Sequence, residues 1–157
     1  MAYETTDIDR IDRRILDVLQ RDGCISNLKL AETVALSPTA VLARVQRLTR
    51  DGYILSYEAR LNPLKLGAGM LVFVEVLLDR TSPNVFEQFK AAVQVRPEIM
   101  ECHLVAGGFD YLLKIRTADM NAYRQFSGDV LWLLPGVRET RTYAVMEEVK
   151  NSTALAL

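Results

Sequence analysis

The sequence is poor in the residues that build disulfide frameworks and metal centres. Its 157 residues include two cysteines and one histidine. Cys24 and Cys102 lie far apart, with no other ligand-type pair beside them, so we expect reduced thiols in a reducing compartment. His103 follows Cys102 on a predicted strand, where neighbouring side chains point to opposite faces. No metal site is therefore expected.

Long apolar runs and an excess of one charge are also lacking. No run approaches the ~20 apolar residues that a membrane span requires, and the first residues lack the apolar core of a signal peptide. We expect a cytoplasmic protein without a membrane partner. The net charge of −1 argues mildly against nucleic acid as a partner. No catalytic triad, phosphate-binding loop or carboxylate pair stands in a suitable context, so neither an enzyme nor a cofactor is expected.

A local cluster of cations stands out against this balance. Residues 33–50 carry three arginines and no acidic side chain: Arg44, Arg47 and Arg50. Local charge of this kind matters more for association than the net charge of the molecule. The segment 37–52 has the marks of a helix, because Ser37 can cap its start and Gly52 can close its end.

The two sides of this predicted helix differ in chemistry. Val41, Val45 and Leu48 fall on one side at helical spacing and form an apolar stripe. The other side is small, polar and cationic and carries Thr39, Ala43, Gln46, Arg47 and Arg50, with Arg44 beside them. Periodicity alone fits both an ordinary packing helix with a solvated face and a helix that reads DNA.

Two more helices are predicted before this one. The first covers residues 8–21, and the second follows Ser26 as a cap. Three helices with a tight turn before the third suggest a helix-turn-helix domain, whose third helix enters the major groove. Arginine, threonine and glutamine side chains can bond base edges, and arginines also neutralise phosphates.

The pattern changes after the breaker-rich segment 62–69, which we interpret as a linker between domains at 1–61 and 70–157. The second domain alternates predicted strands and helices, at 70–78, 82–95, 99–106, 110–117, 119–134 and 137–149. Ser82 and Asp119 are the expected helix caps. The order βαββαβ predicts an α+β chain with a split ferredoxin-like second domain. Because two helices cover only one face of a four-stranded sheet, a second copy is the simplest partner for the other face.

A turn in the second domain is a candidate ligand site. The sequence AGGFDY at 106–111 places two glycines and a carboxylate between paired strands. Glycines let backbone N–H groups face a ligand carboxylate, and Asp110 can hold an ammonium group. These features suit a free amino acid, although a Gly-Gly turn is more often only a hairpin.

Several blocks in the same order resemble the Lrp/AsnC family of transcriptional regulators over nearly the whole chain. They are DIDRIDRRILDVLQRDG (7–23), LSPTAVLARVQRLTRDGYI (36–54), LNP (61–63), LVFVEV (71–76), ECHLVAGGFDYLLKIR (101–116), LPGV (134–137) and TRTYAVMEEVK (140–150). The resemblance implies a winged-type helix-turn-helix domain joined to a ferredoxin-like domain of the RAM/ACT type. It also implies double-stranded DNA and a free amino acid, leucine or a similar one, as partners.

The family's functional positions map onto two sets of residues in this sequence. The DNA-binding set is Ser37, Thr39, Ala43, Arg44, Gln46, Arg47 and Arg50, with Arg47 expected to contact bases and Arg50 phosphate. The effector-binding set is Gly107, Gly108, Asp110, Trp132, Thr140, Tyr143 and Val145. Ala43 departs from an acidic residue common in relatives, and Gly108 and Trp132 also depart, which bears on the DNA sequence and the ligand preferred. The resemblance further implies homodimers that assemble into octamers or similar particles on the nucleoid.

Two other functions remain open at this point. A protein with the same two domains can bend or wrap DNA as an architectural multimer without responding to an effector. A ferredoxin-like domain can also bind or convert a small molecule while its helical part serves interaction only. We favour a sequence-specific regulator of amino-acid metabolism genes.

Overall fold

The structure is a computed structural model that describes residues 8–157. The start of the predicted domain 1–61 therefore lies outside the described residues. The chain divides into two compact units, one running up to Arg60 and joined by Lys150–Leu157, the other covering Leu61–Val149. The last eight residues were expected with the second domain, yet they cluster with the first. The side-chain amide of Gln20 accepts from the Leu155 N–H and donates to the Leu155 carbonyl, at 2.8 and 2.9 Å.

The first unit contains three helices, α1 (Arg10–Leu19), α2 (Asn27–Val34) and α3 (Pro38–Arg50). Local side chains start each of them. Asp9 and Asp12 form a reciprocal capping box at α1, and the hydroxyls of Ser26 and Ser37 accept backbone N–H groups at the other two. The caps predicted at Ser26 and Ser37 are thus confirmed.

A three-residue turn separates α2 from α3. Ala35 adopts a left-handed backbone conformation with φ of 57°, and the next N–H, of Leu36, bonds back to the carbonyl of Ala31. This closes α2 and lets Ser37 begin α3 at once, which is the tight turn a helix-turn-helix needs. At the other end of α3, Gly52 takes the predicted closing position with φ of +79°.

The core of the first unit is formed by the inner faces of all three helices. Its buried side chains are Ile15, Leu30, Ala31, Val34, Val41 and Leu48. The predicted stripe on α3 is confirmed, since Val41 and Leu48 are buried and Val45 packs against the cluster. Residues 53–61, which follow α3, contain no β-strand, so this fully described stretch carries no strand of a wing.

The second unit has the predicted βαββαβ order. Its elements are β1 (Met70–Leu78), α4 (Val85–Gln94), β2 (Ile99–Leu104), β3 (Tyr111–Thr117), α5 (Met120–Asp129) and β4 (Val137–Ala144), with a 3₁₀ turn at Leu131–Leu133. The strands form one sheet in the order β2-β3-β1-β4, with antiparallel neighbours throughout. Asp119 caps α5 as predicted, but Ser82 does not cap α4, because residues 82–85 form a turn and the helix starts after Asn84.

The helices cover one face of this sheet. Alternate residues of β1 and β3 point toward α4 and α5, and Val74, Phe89 and Leu113 lie completely buried at the centre of this layer. The opposite face carries the intervening residues of β1, among them Phe73 and Glu75, which no helix of the unit covers. The sheet therefore has a packed face and an open one.

Candidate DNA-binding face and ligand site

The outer face of α3 presents the residues expected near DNA. Thr39, Ala43, Gln46 and Arg50 are exposed, whereas Arg44 and Arg47 are half-buried. Ser37 is exposed too, but its hydroxyl accepts the N–H of Ala40 at 3.2 Å and serves as the helix cap. The predicted residues thus lie on one surface of the helix, and Arg44 and Arg47 are less exposed to solvent than the others.

Arg44 and Arg47 are held by acidic residues from the start of α1. Arg44 Nη1 donates to Asp9 Oδ2 at 2.7 Å and to Asp12 Oδ1 at 2.8 Å. Arg47 Nη2 donates to the other oxygen of Asp12, Oδ2. The side chain of Asp12 is only 1% exposed, so one buried carboxylate joins both arginines. We call these four residues the Asp–Arg network.

The network also sets the ionisation of its members. Burial acts to raise the pKa of Asp12, but the hydrogen bonds from Arg44 and Arg47 outweigh it, and the pKa lies below its usual range. The N–H of Asp12 and the guanidinium of Arg44 lower the pKa of Asp9. Bonds to Asp12 and Asp9 raise the pKa of Arg44. All three groups are thus charged at neutral pH.

Sequence reasoning missed the acidic half of the network. The segment 33–50 has no acid of its own, yet Asp9 and Asp12 approach it in space, and Asp51 pairs with Arg50 at 3.0 Å. The expected patch of three uncompensated cations is therefore corrected to three ion-paired arginines. The spacing of Asp9 and Asp12 before an apolar run did signal a capping box, but it carried no signal of their partners on α3.

In the second unit, the 106–111 turn is open at its glycines and closed at its carboxylate. A Cβ atom added at Gly107 or Gly108 would meet nothing within 4 Å. Asp110, in contrast, is 3% exposed; its Oδ2 accepts the N–H of Leu78 at 2.9 Å and its Oδ1 a guanidinium N–H of Arg80 at 2.5 Å. Both oxygens of Asp110 have partners within the chain, and its expected contact with a ligand ammonium stays a prediction.

A cavity of about 290 Å³ lies beside this turn, at the ends of β1 and β4. Its lining residues are Glu75, Leu77, Gly108, Phe109, Glu139, Thr140 and Arg141. Of the expected effector residues, Gly108 and Thr140 line it, while Gly107, Asp110, Trp132, Tyr143 and Val145 do not. Five lining residues were missed, because only the strand register brings Glu75 opposite Arg141 and Leu77 opposite Glu139.

The electrostatics of the cavity suit a zwitterion. Arg141 Nε donates to Glu139 Oε1 at 3.3 Å, so a guanidinium and a carboxylate stand side by side. Glu75 lies opposite Arg141 in the sheet and bonds the hydroxyl of Tyr143, which raises the pKa of that phenol. Leu77 and Phe109 add apolar surface. A free amino acid presents a carboxylate, an ammonium and a side chain, which are the three groups this lining complements.

Two expected effector residues lie in other surroundings. Trp132 belongs to the 3₁₀ turn after α5 and is 48% exposed. The N–H of Val145 bonds to the carbonyl of Leu71, which continues the pairing of β4 with β1. Neither residue is brought to the cavity within one chain.

The described residues show neither a membrane helix nor a metal cluster. Between residues 8 and 157, no helix is long and apolar enough to cross a bilayer. Nor do three His, Cys, Asp or Glu side chains of that range come together as metal ligands would.

Comparison with known proteins matches both halves of the chain. The protein-family model of the winged helix-turn-helix DNA-binding domain matches residues 8–54, and the family model of the Lrp/AsnC ligand-binding domain matches residues 71–155. The leucine-responsive regulatory proteins of Salmonella typhimurium and of Escherichia coli K12 are each 60% identical over 96% of this chain and 92% of their own length. The chain belongs to the Lrp/AsnC family.

Solved structures agree with this assignment. A transcriptional regulator from Neisseria meningitidis, in complex with L-Met, has a TM-score of 0.92 at 35% identity, covering 96% of this chain and 97% of its own. An AsnC family regulator from Agrobacterium tumefaciens has a TM-score of 0.90 at 32% identity, covering 95% and 97%. The winged helix-turn-helix match contains the whole Asp–Arg network, and the Lrp/AsnC ligand-binding match contains the whole cavity.

Proposed function

We propose that this Lrp/AsnC chain is a sequence-specific regulator of amino-acid metabolism genes, and that a free amino acid binding in the second unit modulates it. The observation that carries the proposal is the cavity beside residues 107–109, where one guanidinium and two carboxylates converge in a ligand-binding domain. The exposed face of α3 supplies the DNA-binding half.

Arg141 is the group for the α-carboxylate of the ligand, and Glu75 and Glu139 are the groups for its ammonium. Gly108 of the open turn lines the same cavity, and backbone N–H groups of such a turn can donate to a ligand carboxylate. Leu77 and Phe109 provide an apolar wall, so we expect an aliphatic amino acid of about the size of leucine or methionine.

On the DNA side, Arg47 is the expected base contact and Arg50 the expected phosphate contact, with Thr39, Ala43 and Gln46 facing the groove. An arginine can donate two hydrogen bonds to guanine, which is the commonest specific contact in the major groove. Arg50 is more exposed than Arg44 or Arg47, and it pairs with its neighbour Asp51 in an exposed ion pair of little energy.

Assembly is the third part of the proposal. The open face of the sheet, which includes Phe73, is the surface on which a second copy packs, and the resulting dimers join into octamers or similar particles. Packing a second copy on this face removes the apolar surface of side chains such as Phe73 from water, which favours association. Light scattering on the full chain measures the particle size, and a monomer at micromolar concentration would contradict this part.

The test is a gel-shift experiment on the DNA upstream of the protein's own gene, with and without a panel of amino acids. We expect a shift at low salt whose midpoint changes with one aliphatic amino acid. Arg141→Ala should raise the amino-acid concentration required by about tenfold or more, because it removes a charge-assisted bond. Arg138→Ala removes the same charge from the same strand outside the cavity and serves as the matched control.

Each outcome selects one function. Absence of a shift at low salt would contradict DNA binding altogether. A shift that no amino acid changes would favour the architectural protein, which wraps DNA without an effector. An effector response that Arg141→Ala and Arg138→Ala alter equally would remove Arg141 from the ligand site.

A further inference from the structure

The Asp–Arg network connects the capping residues of one helix with the DNA-binding face of another. Asp12 is the third residue of α1, and its carboxylate has an oxygen for each arginine, Oδ1 for Arg44 and Oδ2 for Arg47. Asp12 Oδ2 also accepts the N–H of Asp9 at 3.2 Å, and Asp9 Oδ1 accepts the N–H of Asp12 at 2.8 Å. The carboxylate that holds the arginines is therefore itself fixed by the backbone of the helix start.

We propose that Asp12 is a positioning residue for DNA recognition, which orients Arg44 and Arg47 and keeps their charge from non-specific attraction to phosphates. The proposal rests on the assignment of these arginines to the DNA contact.

Orientation follows from the geometry of the guanidinium group. Each guanidinium has five N–H donors in a rigid plane, so a bond from one Nη atom to a buried carboxylate fixes the direction of the remaining donors. A long side chain that is already fixed loses less conformational entropy when it binds a base. With Asp12 1% exposed and Arg47 37% exposed, the anchor is buried while part of the guanidinium still faces solvent.

Suppression of non-specific binding follows from the charges. A cation that already neighbours a carboxylate neutralises less of a DNA phosphate and releases fewer counterions. Arg47 has Asp12 as its acidic partner within residues 8–157, and Arg44 shares Asp12 with Asp9. Removing the charge of Asp12 thus releases Arg47 fully but Arg44 only in part.

The test uses the full chain and two DNA duplexes of equal length, one selected from random sequence by the wild-type protein and one random. Asp12→Asn keeps the shape and a side-chain acceptor for the helix start, yet it removes the charge. We expect the slope of log affinity against log salt on random DNA to steepen by about 0.9, the value of one further phosphate contact. We also expect the ratio of specific to random affinity to fall by roughly fivefold or more, the value of one base contact.

Asp17→Asn is the matched control. Asp17 lies on the same helix, pairs with Arg21 at 2.8 Å, and its substitution also adds one unit of positive charge. Asp9→Asn is a second variant, since asparagine caps a helix as well as aspartate does. It leaves both arginines on Asp12, and its slope should lie between those of Asp17→Asn and Asp12→Asn.

A loss of folding does not imitate these results, because partial unfolding lowers both affinities without steepening the salt slope. Circular dichroism at the assay temperature shows whether Asp12→Asn is folded. If it is unfolded, the salt slope and the affinity ratio of Asp9→Asn test the proposal instead. Slopes and affinity ratios equal to those of Asp17→Asn, in the folded variants, would overturn the proposal. Arg47→Ala distinguishes the DNA contact of Arg47 from the positioning role of Asp12. If Arg47→Ala leaves the affinity for the selected DNA unchanged, the assignment of Arg47 to DNA fails. If Arg47→Ala lowers that affinity while Asp12→Asn binds like its control, only the positioning role is contradicted.

Discussion

Replacing Asp110 by alanine tests whether the carboxylate of the glycine turn serves the fold, the ligand or both. The side chain is almost fully buried, and it accepts the backbone N–H of Leu78 at 2.9 Å and a guanidinium N–H of Arg80 at 2.5 Å. Asp110→Ala removes both acceptors and leaves the N–H of Leu78 without this partner. We therefore expect the variant to lose stability before any question of ligand binding arises.

The magnitude follows from the two bonds. A buried backbone N–H left without an acceptor costs about 1–3 kcal/mol. The ion pair adds at most about 1 kcal/mol, because the side chain of Arg80 is 70% exposed and solvent screens the attraction. A loss of about 2 kcal/mol is the central expectation, which corresponds to a fall of roughly 8–16 °C in the melting temperature of a unit of this size.

The assay uses the single tryptophan of the chain. Trp132 lies in the second unit, so its fluorescence during thermal or urea unfolding reports the unit that contains Asp110. Asp110→Asn keeps an oxygen for the N–H of Leu78, and Arg80→Ala removes only the exposed partner. Each of these two should cost about 1 kcal/mol or less.

An unfolding curve of Asp110→Ala that coincides with that of the wild type would refute this reasoning, because it would mean that the Leu78 N–H bond contributes nothing. The amino-acid dose–response of DNA binding then tests the second role. If Asp110→Asn is stable but responds only at higher amino-acid concentration, Asp110 also holds the ligand. If the dose–response of Asp110→Asn equals that of the wild type, Asp110 is excluded from the effector site and has a structural role only.

Two further expectations concern a turn and a pH dependence. Gly136→Ala should lower the free energy of unfolding by about 2–5 kcal/mol, since φ is +74° and the added Cβ would stand 2.0 Å from Val85 Cγ2. Trp132 fluorescence measures this loss, and the double variant with Val85→Ala should recover only the part of it that is due to steric overlap. An unfolding curve of Gly136→Ala equal to that of the wild type would contradict the geometry. Asp9 and Asp12 have lowered folded-state pKa values, so their stabilisation is complete above the unfolded pKa of about 3.9 and is lost as pH falls through the lower folded values. Circular dichroism at 222 nm should show less loss of stability below about pH 4 in Asp12→Asn than in the wild type, and identical acid profiles would argue against the network.

Most of the secondary structure was predictable because it depends on local chemistry. The nearly continuous apolar run of β1 indicates a strand, and the side chains of Ser37 and Asp119 cap helices that begin at the next residue. The Ser-Pro pair, which occurs at residues 37–38 and again at residues 82–83, shows the limit of such local patterns. At Ser37 the hydroxyl bonds the N–H of Ala40 and a helix begins, whereas at Ser82 the backbone carbonyl accepts the N–H of Val85 and a turn comes first.

The sites were less predictable because their residues meet only through the fold. The cavity needs Glu75 opposite Arg141, and this pairing depends on the register of β4 against β1. A shift of one residue would move Arg141 to the helix-covered face, and nothing near Arg141 in the sequence specifies which register forms. The resemblance to Lrp/AsnC proteins located the glycine turn, and Gly108 does line the cavity, but the charged residues came from the structure.

The Asp–Arg network reconciles two properties that looked opposed in the sequence. A net charge of −1 is unusual for a protein that binds DNA, and an acid-free run of three arginines is what such binding requires. Asp9 and Asp12 lie 32 or more residues from Arg44 and Arg47 in the sequence, but the fold brings them into contact, and Asp51 pairs with Arg50. Each of the three arginines therefore has a carboxylate partner. A face compensated in this way attracts phosphates weakly from a distance. On our proposal, its affinity then depends on base contacts made by arginines that are already oriented, and selectivity, more than general attraction, is what the paired charges supply.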